Sequence, residues 1–156
     1  MRTNITKTWT IQINPDEVFA RCMNESLYNT YRRADANAKG DTMAMQEDDK
    51  GQFLVYFDTA IAELYMLLAR RMEETPLREE GENGCCGCVQ FVLQMHHNHD
   101  NTILPVLINH CYTYVVKKVL EQWYLADFGS ALERLEINHC IHYRKHPVRR
   151  MIGPLF

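Results

Sequence analysis

Apolar residues recur along this chain in two rhythms, one of period two and one of three to four. From Thr6 to Asn14 the period is two: Trp9, Ile11 and Ile13 alternate with Thr8, Thr10 and Gln12. β-Branched and aromatic residues dominate there, which predicts a strand with one buried face. Cys88 to His97 repeats the rhythm, with Val89, Phe91, Leu93 and Met95 set against Gln90, Val92, Gln94 and His96. A lone exposed strand is unstable in water, so the two are expected to pair, in a direction the sequence does not specify.

The longer rhythm predicts four helices. Asn14 caps the first, with Pro15 at the first helical position and Asp16 and Glu17 in the first turn. Its inner stripe is Val18, Phe19, Cys22, Met23, Ser26 and Leu27, and it fades near Arg33. A polar stretch with Gly40 as a break follows. The second helix runs from Gln52 to about Met72 on Phe53, Phe57, Ala60, Ile61, Leu64, Leu67 and Leu68, with Asp48 and Asp49 before its positive end.

The third, Asn101 to Tyr124, has the widest apolar face. Leu104, Ile108, Cys111, Val115, Val119 and Trp123 form its stripe, broadened by Ile103, Leu107, Tyr114 and Leu120. Such a width implies contact with more than one neighbour. Asn101 or Thr102 is the expected cap, and Pro105 is tolerable in a first turn, where its missing N–H had no partner. After a break at Ala126–Gly129, the residues Phe128, Ala131, Leu132, Leu135, Ile137 and Ile141 mark a last helix ending near Arg144. Glu73 to Gly84, EETPLREEGENG, reads as a linker.

Strand, helix, helix thus occurs twice, in 6–72 and in 88–144, joined by 73–87. The expected architecture is one α+β domain, mainly helical, with four helices on a two-stranded ribbon. An all-helical bundle is the alternative.

Composition narrows function more than fold. With 46% apolar residues the chain holds ample material for a core, and a net charge of −3 disfavours a general nucleic-acid binder. The charge is uneven: residues 41–84 hold eleven acids against four bases, while 142–150 hold four bases, two histidines and no acid. The opening MRTNITKTWTIQIN lacks the apolar core of a secretion signal, and no uncharged apolar run of membrane-spanning length occurs. The six cysteines are therefore expected as reduced thiols and the protein in the cytoplasm, with no membrane partner.

Candidate chemistry is sparse. Cys85, Cys86 and Cys88 lie together, and His96, His97 and His99 follow; Asn-His-Cys recurs at 109–111 and 138–140. Zinc takes such ligands in a tetrahedral set, which makes His96, His99, His110 and His139 the candidate metal residues. The spacing is unfavourable: no second cysteine pair stands at a finger-like distance, and His96 and His97 on a strand point to opposite faces. Cys111 and Cys140 fall on apolar stripes, as core thiols do, and the histidines near 97 are expected in an exposed loop. Ser26 and Ser130, the only serines, lie in no nucleophile elbow, and no phosphate-binding glycine loop occurs. No cofactor and no catalytic residue is expected. The closing KHPVRRMIGPLF joins basic to apolar residues, so Arg144, Lys145, Arg149, Arg150, Leu155 and Phe156 are the candidate partner contacts.

Three stretches carry a family resemblance: EDDKGQFLVYFDTAIAEL at 47–64, VVKKVLEQWY at 115–124 and the closing KHPVRRMIGPLF. In these the chain is similar to small proteins of Bacteroides-type prophages, virion-assembly components with the helical content of head–tail adaptors. The resemblance implies a non-enzymatic structural or assembly role, with further copies or phage structural proteins as partners. It carries no catalytic residue over. A metal-binding protein or hydrolase, and a regulatory module binding nucleic acid through 142–150, are the other function classes the residues leave open.

Overall fold

The computed structural model describes residues 6–34, 44–80 and 86–142. Their order is β1 (Thr6–Ile13), α1 (Pro15–Ala34), α2 (Lys50–Leu68), β2 (Leu77–Glu80), β3 (Cys86–His96), α3 (Ile103–Tyr124) and α4 (Ser130–His142). Single 3-10 turns, Glu47–Asp49 and Ala69–Arg71, flank α2. The fold is α+β and mainly helical.

Among the described residues the sheet has three antiparallel strands in the order β1-β3-β2, one more than the expected ribbon. Trp9 faces Leu93, Ile11 faces Phe91 and Ile13 faces Val89, and all six side chains are buried. Thr8, Thr10 and Gln12 take the opposite, wet face, as the alternation requires. The extra strand, β2, lies inside the stretch read as a linker. Its residues Leu77, Arg78 and Glu79 are exposed, so no buried alternation marks it. Backbone pairing along the far edge of β3 makes it a strand, and side-chain types do not encode that.

Pairing of β2 with β3 shifts register between Arg78 and Glu80, and Gly87 sits at that irregularity. A Cβ built on Gly87 would lie 2.0 Å from the Glu79 carbonyl oxygen. Gly87→Ala should therefore push β2 off the sheet at a cost of about 1–2 kcal/mol. Hydrogen exchange would show β2 amides losing protection while β1 keeps its own.

The α1 cap forms as expected: Asn14 Oδ1 accepts the Asp16 N–H at 2.9 Å. The start of α3 differs. Neither expected cap acts through its side chain, because Asn101 Oδ1 accepts from Trp9 Nε1 at 3.3 Å and Thr102 makes no such bond. Asp100 Oδ1 takes the Thr102 N–H instead, at 2.9 Å. Helix α3 packs on α1, α2, α4 and β1, which its apolar breadth required. Leu107, Cys111, Val115, Val119 and Leu120 lie on its buried side.

Helix α2 buries Phe53, Phe57, Ala60, Ile61, Leu64 and Leu68 as the periodicity predicts. With its flanking turns, Glu47–Arg71, it is the one described helical stretch long and apolar enough to cross a membrane by length and composition. One face packs into the core, where the Phe53 ring lies 4.8 Å from that of Phe19 and 5.7 Å from that of Phe57.

Helix α4 is rotated from the expected phase. Its buried residues are Ser130, Ile137, Cys140 and Ile141, while Ala131, Leu132 and Leu135 face outward. Of the expected stripe, Ile137 and Ile141 are buried and the leucines are not. Their greasiness does not say which side is covered, and polar contacts of Ser130 with Glu121 and of Glu133 with His110 and Lys117 turn the helix the other way.

Candidate functional site

The corner between α3 and α4 is organised by Glu121. Its backbone carbonyl accepts the N–H of Leu125 and, at 3.3 Å, that of Ala126, which ends α3. Its carboxylate begins α4: one oxygen accepts from the Phe128 and Ser130 N–H groups, each at 3.1 Å, and the other from Ser130 Oγ at 2.7 Å. A carboxylate bonded to the first amides of a helix also meets the positive end of its dipole. Gly129 enters α4 with φ +88°, a conformation that suits a residue without Cβ.

One turn further on, Glu133 ties α4 back to α3. It accepts from His110 Nδ1 at 2.7 Å and from Lys117 Nζ at 3.0 Å. Burial works to raise its pKa, and the hydrogen bonds from His110 and Lys117 outweigh that and hold it below the ordinary value. A lowered folded value means that Glu133 stabilises the fold above the unfolded carboxylate pKa, about 4.3. That contribution disappears as pH falls through the folded value. Glu133→Gln should lose about 1–2 kcal/mol at neutral pH, and the gap to wild type should narrow on acidification. Urea midpoints at about pH 7 and about pH 3 measure this.

A cleft of about 360 Å³ opens beside Lys117, between α1 and α3, lined by Arg21, Glu25, Val116, Leu120 and Phe128 among others. Its two cations already hold carboxylates: Arg21 lies 3.0 Å from Glu17, and Lys117 holds Glu133. The cleft is therefore better read as a joint between helices than as an anion pocket.

The candidate metal residues separate. His110 is on α3, bonded to Glu133, and His139 is exposed on α4. His96 ends β3. Since the strand stops there, its alternation does not extend to His97, and the two rings stack at 4.3 Å rather than facing apart. His99 is buried rather than exposed, its Nε2 2.8 Å from the Ile141 carbonyl and its ring edge-on to Trp9. Among the described residues no three His, Cys, Asp or Glu side chains gather as a metal set. Cys22, Cys111 and Cys140 are buried, and burial pushes the Cys22 thiol up to about 12 and raises the other two. Such thiols are poor nucleophiles near neutrality. The remaining partner candidates, Arg144, Lys145, Arg149, Arg150, Leu155 and Phe156, lie outside the described residues.

Sequence reasoning missed the outward apolar surface at this corner. Leu132 and Leu135, three apart on α4, are 61% and 64% exposed, and Leu125 in the preceding turn is 90% exposed. Leu125 also has φ 53° and ψ 45°, left-handed geometry usually given to Gly or Asn. Its position just after a long apolar stripe was the one available signal, because a helix end demands such a residue. No family model matches the chain, and neither a curated protein nor a solved structure matches it.

Proposed function

We propose that the protein is a non-enzymatic structural or assembly component of a prophage, acting through protein–protein contacts made at the α3–α4 corner. One observation carries this: Leu125, Leu132 and Leu135 face solvent at a corner whose inner side is held by polar bonds. A bulky apolar residue kept in left-handed backbone, almost fully exposed, costs the monomer about 1 kcal/mol and gains it no packing. A partner that buries the side chain accounts for that cost. The resemblance to virion-assembly proteins supplies the class of partner.

The test separates stability from contact. Leu125→Asn should keep or raise the melting temperature of the isolated protein, since Asn tolerates this geometry. In co-expression with the structural proteins of the same mobile element, wild type should co-purify with one of them. Leu125→Asn and Leu132→Glu/Leu135→Glu should lose it while remaining folded. Retention unchanged in both variants, or no retention by wild type, would overturn the reading.

A further inference from the structure

A second outward surface lies along α2. Each charged side chain of α2 is drawn sideways to another element: Lys50 to Asp16 at 3.1 Å, Asp58 to Arg78 at 2.8 Å and Glu63 to Lys118 at 2.8 Å. The exposed face between them is left without charge. It runs through Gln52, Val55, Thr59, Ala62 and Met66, at steps of three and four. Val55 and Met66 are 58% and 76% exposed. Thr59 spends its hydroxyl on the Val55 carbonyl at 3.2 Å, so covering it strands no donor. A solvated helix face normally carries charge, and an uncharged stripe with this spacing fits a second helix.

Charge at the two ends says which helix. Continuing the same steps, the stripe begins at exposed Asp48, in the acidic turn Glu47–Asp49, and ends at exposed Arg70, in the basic turn Ala69–Arg71. Two antiparallel copies set each acidic end against a basic end. With Thr59 opposite its own counterpart, Asp48 meets Arg70 of the second copy, Gln52 meets Met66, and Val55 comes beside the small Ala62. The apolar fit and the charge fit select the same register. Shallow clefts flank the stripe, one formed with Thr75 and Pro76 and one with Asn138 and His142, and leave room for side chains of the other copy.

We infer that the protein forms a two-fold homodimer through antiparallel packing of α2 on α2. The contact is isologous, so it closes at two copies. It does not depend on the assembly role proposed above.

Sedimentation equilibrium of the full chain across a wide dilution series tests it. Wild type should dimerise. Val55→Glu/Met66→Glu should be monomeric with unchanged far-UV circular dichroism, because both side chains are exposed in the single chain. Asp48→Lys and Arg70→Glu should each weaken the dimer by about tenfold, and the double variant should restore it. That restoration is specific to an antiparallel pair. Leu132→Glu/Leu135→Glu should leave the dimer intact. A monomeric wild type, a dimer indifferent to Val55→Glu/Met66→Glu, no restoration by the double reversal, or a dimer lost with the α4 leucines would each overturn the inference. So would a monomer that sediments with neutral phospholipid vesicles and loses them on Val55→Glu/Met66→Glu, because the face would then meet lipid.

Discussion

Val115→Asp is expected to leave no folded protein at room temperature. Val115 has no exposed surface and lies on the buried side of α3, the helix that packs on α1, α2, α4 and β1. The change removes about 2 kcal/mol of apolar burial. It also places a carboxyl where no partner is arranged, which costs several kcal/mol more even if the group stays protonated. Together these match the whole stability of an ordinary domain, about 5–15 kcal/mol. Circular dichroism and a flat urea profile would report it. Val115→Ala is the control: it loses methyl groups without adding a polar one, so it should fold with a penalty near 2 kcal/mol. If the Asp variant melted cooperatively at a normal temperature, α3 would not be the centre of the core.

Glu121→Ala is the next most costly change, and it acts at a corner rather than in the core. It leaves the Phe128 and Ser130 amides and the Ser130 hydroxyl without their acceptor. Hydrogen bonds to a charged group contribute about 1.5–3 kcal/mol each, and the carboxylate is only 18% exposed. Water replaces part of the loss, so a destabilisation of about 3–4 kcal/mol is expected. Glu121→Gln keeps one acceptor oxygen and should lose roughly half as much. Hydrogen exchange would locate the damage in the first turn of α4. If α3 melted at the same denaturant concentration as α4 in both variants, the corner would be part of the global unfolding unit and not a local cap.

The outward surfaces respond differently. Substitutions at Val55, Met66, Leu125, Leu132 and Leu135 should change association and leave the isolated fold nearly untouched, since each side chain is largely exposed. That contrast separates the core of this molecule from its contact faces.

How much of this is legible in the residues varies from element to element. Helix α2 is legible because its core face repeats from Phe53 to Leu68 without interruption. Strands β1 and β3 are legible for the same reason at period two. Helix α4 is legible as a helix but not in its orientation. Its leucines and its isoleucines offer two apolar sides, and the choice falls to Glu121 and Glu133, whose partners come from the corner and from α3. The environment of the histidines is not legible from local pattern alone. His99 lies in a polar sequence, yet the fold places it between Trp9 and the Ile141 carbonyl.

The order of hydrophobic and polar residues by itself determined the class of this protein, the two long strands and four helices among its described residues, and the centrality of α3. Those features follow from spacing along one segment, since a helix or strand buries whichever side carries the apolar repeat. Only the tertiary structure decided that a charged linker segment becomes β2, that α4 turns its leucines outward and that Leu125 takes left-handed backbone. Each depends on hydrogen-bond partners far away in the chain or on a helix end set by packing, and neither is written in the local sequence.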